Sequence, residues 1–184
     1  MRTLHQAALS LASAALYACA WHAPGGWIAG WLWPIPVLLV VLRTRPLPAV
    51  AWGFVSWAVG SLAWWPVERS VLPLSAFLLA HAALALPFCL SIPVLQFQAR
   101  RSGTWAPYGF AASFTLLSAL QVTLNPHGTW GLLVYSQTWG PMLQCLAWGG
   151  PYLLLLLMLA FPATLTLALT TRDRASWWSA GATA

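Results

Sequence analysis

Long apolar segments separated by short polar breaks dominate the sequence. A helix needs about 20 predominantly apolar residues to cross the roughly 30 Å hydrocarbon core of a membrane. The segments predict an all-α integral membrane protein, a bundle of about six transmembrane helices that cover residues 4–20, 27–42, 48–65, 72–97, 105–124 and 142–171. The predicted membrane domain occupies residues 1–174, and residues 175–184 are a short tail.

Prolines inside the apolar segments predict kinks, because each proline removes a backbone donor. The fourth predicted span contains Pro73, Pro87 and Pro93. The sixth is too long for one perpendicular crossing, and we expect Pro151 and Pro162 to bend it. Whether this last segment is one helix or two stays open.

The first apolar segment has an alternative interpretation as a secretory signal peptide, because Arg2 precedes a short apolar run. Every later segment is also a predicted membrane span. We therefore expect the first segment to be an uncleaved helix.

Composition fixes the class of protein. Of the 184 residues, 60% are hydrophobic and only 5% are charged, whereas charged residues make up about 25% of a typical soluble domain. The net charge of +6 comes from eight arginines dispersed between apolar segments. This dispersal indicates topology signals and no nucleic-acid-binding surface.

The arginines also predict the orientation, since cytoplasmic loops carry the excess of basic residues. Six spans bring seven arginines to one side: Arg2, Arg43, Arg45, Arg100, Arg101, Arg172 and Arg174. The other side has Arg69 alone, beside Glu68. Both termini are therefore predicted to be cytoplasmic, with the loop from Asn125 to Gly140 facing outward. In a bacterium the outward side of the inner membrane is the periplasm.

That loop contains no charged residue and is the first candidate for a binding site. Its Asn-Pro, glycine and Gly-Pro positions argue against one continuous helix. The residues selected as candidates for binding a lipid or another substrate are His127, Trp130, Tyr135, Ser136, Gln137 and Trp139. We expect either that Trp130 and Tyr135 fold back toward the bilayer or that residues 131–138 form a short interfacial helix.

Tryptophan is unusually frequent, with fourteen residues. Tryptophan collects at membrane interfaces, where its ring and its N–H both find partners. The predicted inner belt is Trp105, Trp177 and Trp178, and the predicted outer belt is Trp21, Trp27, Trp31, Trp33, Trp64, Trp65, Trp130, Trp139 and Trp148. The outer set is either a simple belt or the lining of a vestibule that accepts a lipid.

Residues for catalysis are scarce. Glu68 and Asp173, the two carboxylates, are predicted to lie on opposite sides of the membrane, and the chain contains no lysine. His81 lies within a predicted span and is expected to be a neutral residue bonded to a neighbouring helix, although an ionisable group at membrane depth is a functional candidate. Ser136 could act only with a base, and His127 is nine residues away on the loop.

The three cysteines Cys19, Cys89 and Cys145 are scattered within apolar spans and lack metal-binding spacing. We expect buried, reduced and unreactive thiols, because free cysteine behaves as a small buried hydrophobe. Cys145 follows the loop closely, and a fold could bring Glu68 or Arg69 near it. The sequence thus predicts no metal and no cofactor.

Three segments resemble the N-terminal membrane region of bacterial apolipoprotein N-acyltransferase. They are Arg45-Pro46-Leu47 with Gly53-Phe54, the stretch W-G-L-L-V-Y-S-Q from Trp130 to Gln137, and Gly140-Pro141-Met142-Leu143. The chain departs from the family pattern at Ser118 and Gln121, which stand in the places of a Glu-x-x-Arg pair, and at Thr129 and Val134, which replace Pro and Gly.

The resemblance implies a setting of acyl transfer from a phospholipid to the N-terminal cysteine of a lipoprotein. The family performs it with a Glu-Lys-Cys triad on a nitrilase-like domain, which a chain without lysine cannot supply. We therefore expect this chain alone to transfer no acyl group. It is interpreted as a module that binds lipid, lipoprotein or a separately encoded nitrilase-type subunit. The alternatives are a truncated or split N-acyltransferase and an unrelated small transporter or structural membrane protein.

Overall fold

The computed structural model describes residues 3–101, 103–124, 128 and 131–171. Every regular element within these residues is helical. The α-helices are α1 (Thr3–His22), α2 (Trp27–Leu32), α3 (Pro34–Val41), α4 (Pro46–Ser61), α5 (Trp65–Glu68), α6 (Leu74–Arg101), α7 (Ala106–Leu124) and α8 (Gly140–Thr171). Short 3-10 turns occupy Leu62–Trp64, Gly103–Trp105 and Leu133–Ser136.

Three helical segments are long and apolar enough to cross a membrane: Pro46–Glu68, Leu74–Arg101 and Gly140–Thr170. Together α2 and α3 form a shorter apolar helix, Trp27–Val41. The prediction of an all-α chain with apolar helices of membrane-spanning length is thereby confirmed for the part of the chain that is described.

The second predicted span, residues 27–42, agrees with the apolar helix Trp27–Val41. Trp33 keeps helical backbone angles, φ −56° and ψ −33°, although Pro34 has no amide hydrogen to donate and begins α3. The third predicted span, residues 48–65, ends too early. The helical segment continues through the 3-10 turn into α5, since proline fits the first turn of a helix, and Glu68 is a buried helical residue.

The helix α8 is broken at Gly150. This residue has φ 66° and ψ −171°, a conformation that glycine adopts without steric cost. Pro151 follows and cannot donate a backbone hydrogen bond. The sixth predicted span is therefore two helical segments joined at Gly150, whereas α6 stays helical across both Pro87 and Pro93.

The helices form a closed ring. Along it, α1 packs on α4, α4 on α6, α6 on α7, and α7 on α8. The ring closes through α2 and α3, which contact both α8 and α1. The ring brings residues far apart in sequence to the same end of the bundle.

An aromatic cluster fills the middle of the ring. Trp33 was predicted in the outer belt, but its side chain is fully buried. Its ring centroid lies 4.9 Å from that of Phe88, 5.4 Å from that of Tyr17 and 5.5 Å from that of Trp57. The prediction is wrong because the local sequence does not show which face of a helix points into the bundle.

Polar side chains join helices across the bundle. The hydroxyl of Ser56 on α4 donates to the carbonyl of Ser10 on α1 over 2.9 Å. The amide of Gln96 on α6 donates to the carbonyl of Val41 over 2.6 Å. Such bonds stabilise contacts between membrane helices, where association lacks a hydrophobic driving force.

Candidate functional site

The segment from Gly131 to Gln137 lies against one end of the bundle. Leu132, Leu133 and Val134 are buried, and a 3-10 turn begins at Leu133. Gly131 has φ +82°, and a Cβ there would stand 2.7 Å from Cδ1 of Leu84. Glycine thus allows the backbone to approach α6 closely, and the segment is anchored by apolar side chains.

Gln137 is the centre of a hydrogen-bond network in this segment. Its side-chain oxygen accepts a bond from the Nε1 of Trp31 over 2.9 Å. Its amide nitrogen donates to the carbonyl of Trp27 over 3.3 Å and to the hydroxyl of Ser136 over 3.2 Å. One buried amide therefore joins the loop to α2.

The network depends on a glycine in α2. A Cβ at Gly30 would lie 2.7 Å from Nε2 of Gln137 and 2.9 Å from the hydroxyl of Ser136. Both distances are shorter than real Cβ contacts. The absence of a side chain at position 30 is thus what lets the loop dock on α2.

Aromatic rings form a cleft beside this network. The rings of Trp27 and Trp139 stack with centroids 5.0 Å apart and an interplanar angle of 15°. The cleft has a volume of about 180 Å³ and is lined by Trp27, Trp31, Trp139, Met142 and Phe161. None of these side chains is charged, so the cleft offers contact area and no ionic recognition. We call it the tryptophan cleft.

A second cavity lies on the other side of the segment. It has a volume of about 280 Å³ and is lined by Tyr17, Trp21, Trp64, Glu68, His81, Leu84, Gly131 and Tyr135. These residues come from α1, the 3-10 turn before α5, α5, α6 and the loop. We call it the carboxylate cavity, because Glu68 is its acidic residue.

Glu68 and His81 are in hydrogen-bond contact in the wall of this cavity. Nε2 of His81 lies 3.2 Å from Oε2 of Glu68, and the two side chains are only 6% and 8% exposed. The His81 ring also packs on Phe77, with centroids 4.3 Å apart. His81 was expected to bond a neighbouring helix, but Glu68 was not identified as its partner. Thirteen residues and a turn separate the two side chains, so no local sequence pattern predicts the pair.

The predicted site residues lie in different parts of the structure. Tyr135 is half exposed and lines the carboxylate cavity, whereas Trp139 lines the tryptophan cleft. Ser136 and Gln137 are buried between the two. His127 and Trp130 lie outside the described residues. The loop candidates thus divide between two cavities instead of forming one site.

The hydroxyl of Ser136 has amide partners. It donates to the carbonyl of Leu133 over 2.8 Å and accepts from Gln137. Neither group can act as a general base, so this geometry gives Ser136 no activation as a nucleophile.

The cysteines are free thiols. Cys89 is buried as predicted, but Cys145 is half-buried and Cys19 is exposed on the outer surface of α1, because an apolar helix face that points away from the bundle also accommodates cysteine. Among the described residues no group of three or more His, Cys, Asp or Glu side chains could hold a metal ion. The tryptophan cleft and the carboxylate cavity are the two sites that the predicted loop residues Trp139 and Tyr135 line.

Comparisons with protein-family models, with curated proteins and with solved structures found no match to this chain.

Proposed function

We propose that this chain is a module of the bacterial inner membrane that holds the acyl chain of a phospholipid in the tryptophan cleft. In this proposal the chain alone transfers no acyl group. It binds a lipoprotein or a separately encoded nitrilase-type subunit. The partner role rests on the resemblance to apolipoprotein N-acyltransferase. The lipid role rests on the cleft.

The composition of the cleft is the observation that carries the proposal. Three tryptophans, a phenylalanine and a methionine line about 180 Å³ of space. Methionine is flexible enough to fit ligands of irregular shape, and aromatic rings supply large apolar contact areas. An acyl chain matches this lining, because it brings no polar group that would need a partner.

The position of the cleft supports a ligand that arrives from the membrane. Trp139 is 43% exposed, and Met142 and Phe161 belong to α8, which is long and apolar enough to span a bilayer. The buried Gln137 amide fixes the Trp31 indole at the inner wall. Such a rigid aromatic wall reduces the entropy lost on binding.

Replacement of Trp139 by alanine is expected to weaken lipid retention roughly fivefold to tenfold. The change removes one wall of the cleft and the stacked pair with Trp27, which contributes about 0.5–1.5 kcal/mol beyond area burial. Native mass spectrometry of protein released from lipid nanodiscs would measure the retained phospholipid.

Trp148→Ala is the matched control. Trp148 belongs to the same helix, is 89% exposed and does not line the cleft. Lipid retention should stay at the level of the unmodified protein. Equal retention by all three proteins would exclude the cleft as the lipid site.

The partners of Ser136 and the burial of Cys89 support a role without intrinsic catalysis. Acyl transfer through a covalent intermediate needs an activated nucleophile and donors for the oxyanion. Ser136 contacts amide groups, and Cys89 is buried. The proposed role is therefore to bind and present a substrate.

The proposed topology has six spans with both termini in the cytoplasm. The spans are α1, α2 with α3, α4 with α5, α6, α7 and α8. Arg43 and Arg100 line one cavity of about 270 Å³ together with Thr170, near the end of α8. Glu68 and Tyr135 line the carboxylate cavity. The grouping of arginines supports the proposal that the end of the bundle with Arg43 and Arg100 faces the cytoplasm.

Reporter fusions test this topology. A fusion after Arg45 or Arg101 is expected to be active only as a cytoplasmic reporter, and a fusion after Glu68 or Gly128 only as a periplasmic one. The physical reason is the excess of arginine on one side. A periplasmic signal after Arg101 would refute the six-span arrangement.

A further inference from the structure

We propose that the carboxylate cavity binds a primary ammonium group, with Oε1 of Glu68 as the acceptor of its N–H bond. The proposal does not depend on the lipid role, because no described residue lines both the carboxylate cavity and the tryptophan cleft.

The first argument is the state of the Glu68 carboxylate. The residue is only 7% exposed, and Oε2 faces His81 at 3.2 Å. Oε1 is buried and has no hydrogen-bond partner in the described part of the chain. Burying a carboxylate without full partnering is costly. A ligand that brings an N–H donor with a positive charge would remove this cost.

The second argument is that no cationic side chain of the described residues contacts this oxygen. Arg69 follows Glu68 directly but is exposed. The contact of Glu68 with His81 is made by the other carboxylate oxygen, Oε2. Glu68 is also the sole acidic residue among residues 3–101, 103–124, 128 and 131–171. The carboxylate is thus the feature that would select a positive ligand.

The third argument is the aromatic lining. The rings of Trp21 and Trp64 lie edge to face with centroids 5.0 Å apart, and Tyr17 and Tyr135 complete the wall. Indole and phenol faces attract cations through the ring quadrupole, most strongly when the site is desolvated. Aromatic walls around one carboxylate are suited to an organic monocation.

The size and chemistry of the cavity select the kind of cation. A volume of about 280 Å³ accommodates a small organic group. Calcium needs six to eight oxygen ligands, whereas this wall supplies one carboxylate. A quaternary ammonium carries no N–H and would leave Oε1 unsatisfied. A primary ammonium supplies the charge and the donor together.

Binding would be measured by titrating the protein in uncharged detergent micelles with n-propylammonium, followed by saturation-transfer NMR of the methyl protons. We expect saturable binding, with 1-propanol and tetramethylammonium each at least tenfold weaker. Equal binding of 1-propanol would overturn the role of charge. Equal binding of tetramethylammonium would overturn the N–H bond to Glu68.

Glu68→Gln is expected to weaken n-propylammonium binding at least tenfold. Asp173→Asn is the control, because it changes the net charge by the same amount and should leave binding unchanged. Circular dichroism establishes whether Glu68→Gln is folded. If it is not, the comparison of n-propylammonium with 1-propanol in the unmodified protein still decides the proposal. A folded Glu68→Gln protein with unchanged affinity would refute it.

Two further titrations identify the source of the ammonium group. One uses nanodiscs that contain a phospholipid with an aminoethyl headgroup, and the other uses the same lipid with a trimethylated headgroup. Displacement of n-propylammonium by the first lipid alone supports the assignment and identifies a lipid headgroup. Displacement by neither, with saturable n-propylammonium binding, supports it and identifies a soluble amine. Equal displacement by both lipids contradicts it.

Discussion

Phe88→Ala is expected to lower the free energy of unfolding by about 3 kcal/mol, near the low end of the range for truncating a buried phenylalanine. Phe88 is fully buried in the aromatic core. Its ring centroid lies 4.9 Å from that of Trp33, 5.9 Å from that of Phe110 and 6.2 Å from that of Phe114. Truncation would remove all of these contacts at once.

The expected loss of unfolding free energy lies at the low end of the range because the helices are surrounded by lipid and not by water. Lipid tails are as apolar as a phenylalanine ring, so transfer out of water contributes little to helix association within a bilayer. What remains is the loss of dispersion contacts around an unfilled volume. Each aromatic pair is worth about 0.5–1.5 kcal/mol. Phe88 forms four such pairs with described residues, the fourth with Trp57 at 6.0 Å, and together they account for the expected magnitude.

Phe97→Ala is the matched control on the same helix. Phe97 is 55% exposed, and its ring contacts the Arg101 guanidinium at 4.3 Å. Loss of an exposed cation–π contact costs about 0.5–1 kcal/mol. Unfolding in mixed micelles of increasing sodium dodecyl sulfate, followed by circular dichroism, would compare the variants. Similar losses for both would contradict an ordered core around Phe88.

The hydrophobic pattern predicts the helices well because their length and composition are local properties. The prediction of residues 105–124 agrees closely with α7, and that of residues 4–20 with α1. The pattern fails where a proline permits two outcomes. Pro66 lies in the first turn of α5 and lets the helical segment continue to Glu68, whereas Pro151 follows the break at Gly150. The difference depends on neighbouring elements that the local sequence does not include.

The candidate site is predictable only in part, for the same reason. The Tyr-Ser-Gln stretch is recognised from its unusual composition, and Gln137 does join the loop to α2. The contact between Glu68 and His81 depends on the fold of α5 against α6. The two residues are thirteen positions apart and belong to different helices. Helical periodicity therefore does not predict that they meet, and the sequence alone contains no signal for the pair.

Gly30→Val is expected to lower the free energy of unfolding by about 2–4 kcal/mol and to detach the loop from α2. The new side chain would overlap the positions of the Gln137 amide and the Ser136 hydroxyl, at 2.7 and 2.9 Å from its Cβ. Overpacking costs about 1–3 kcal/mol, and each lost hydrogen bond about 1 kcal/mol. The better helix propensity of valine offsets only a few tenths of this.

Gly30→Val should also reduce lipid binding in the tryptophan cleft. Once Gln137 is displaced, the Trp31 indole N–H loses its acceptor and Trp139 loses its position against Trp27. Gly30→Val should therefore retain as little phospholipid as Trp139→Ala, although residue 30 does not line the cleft. Gly140→Val is the control, because a Cβ at this exposed glycine meets nothing within 4 Å. Full lipid retention by Gly30→Val would mean that the buried amide does not organise the cleft.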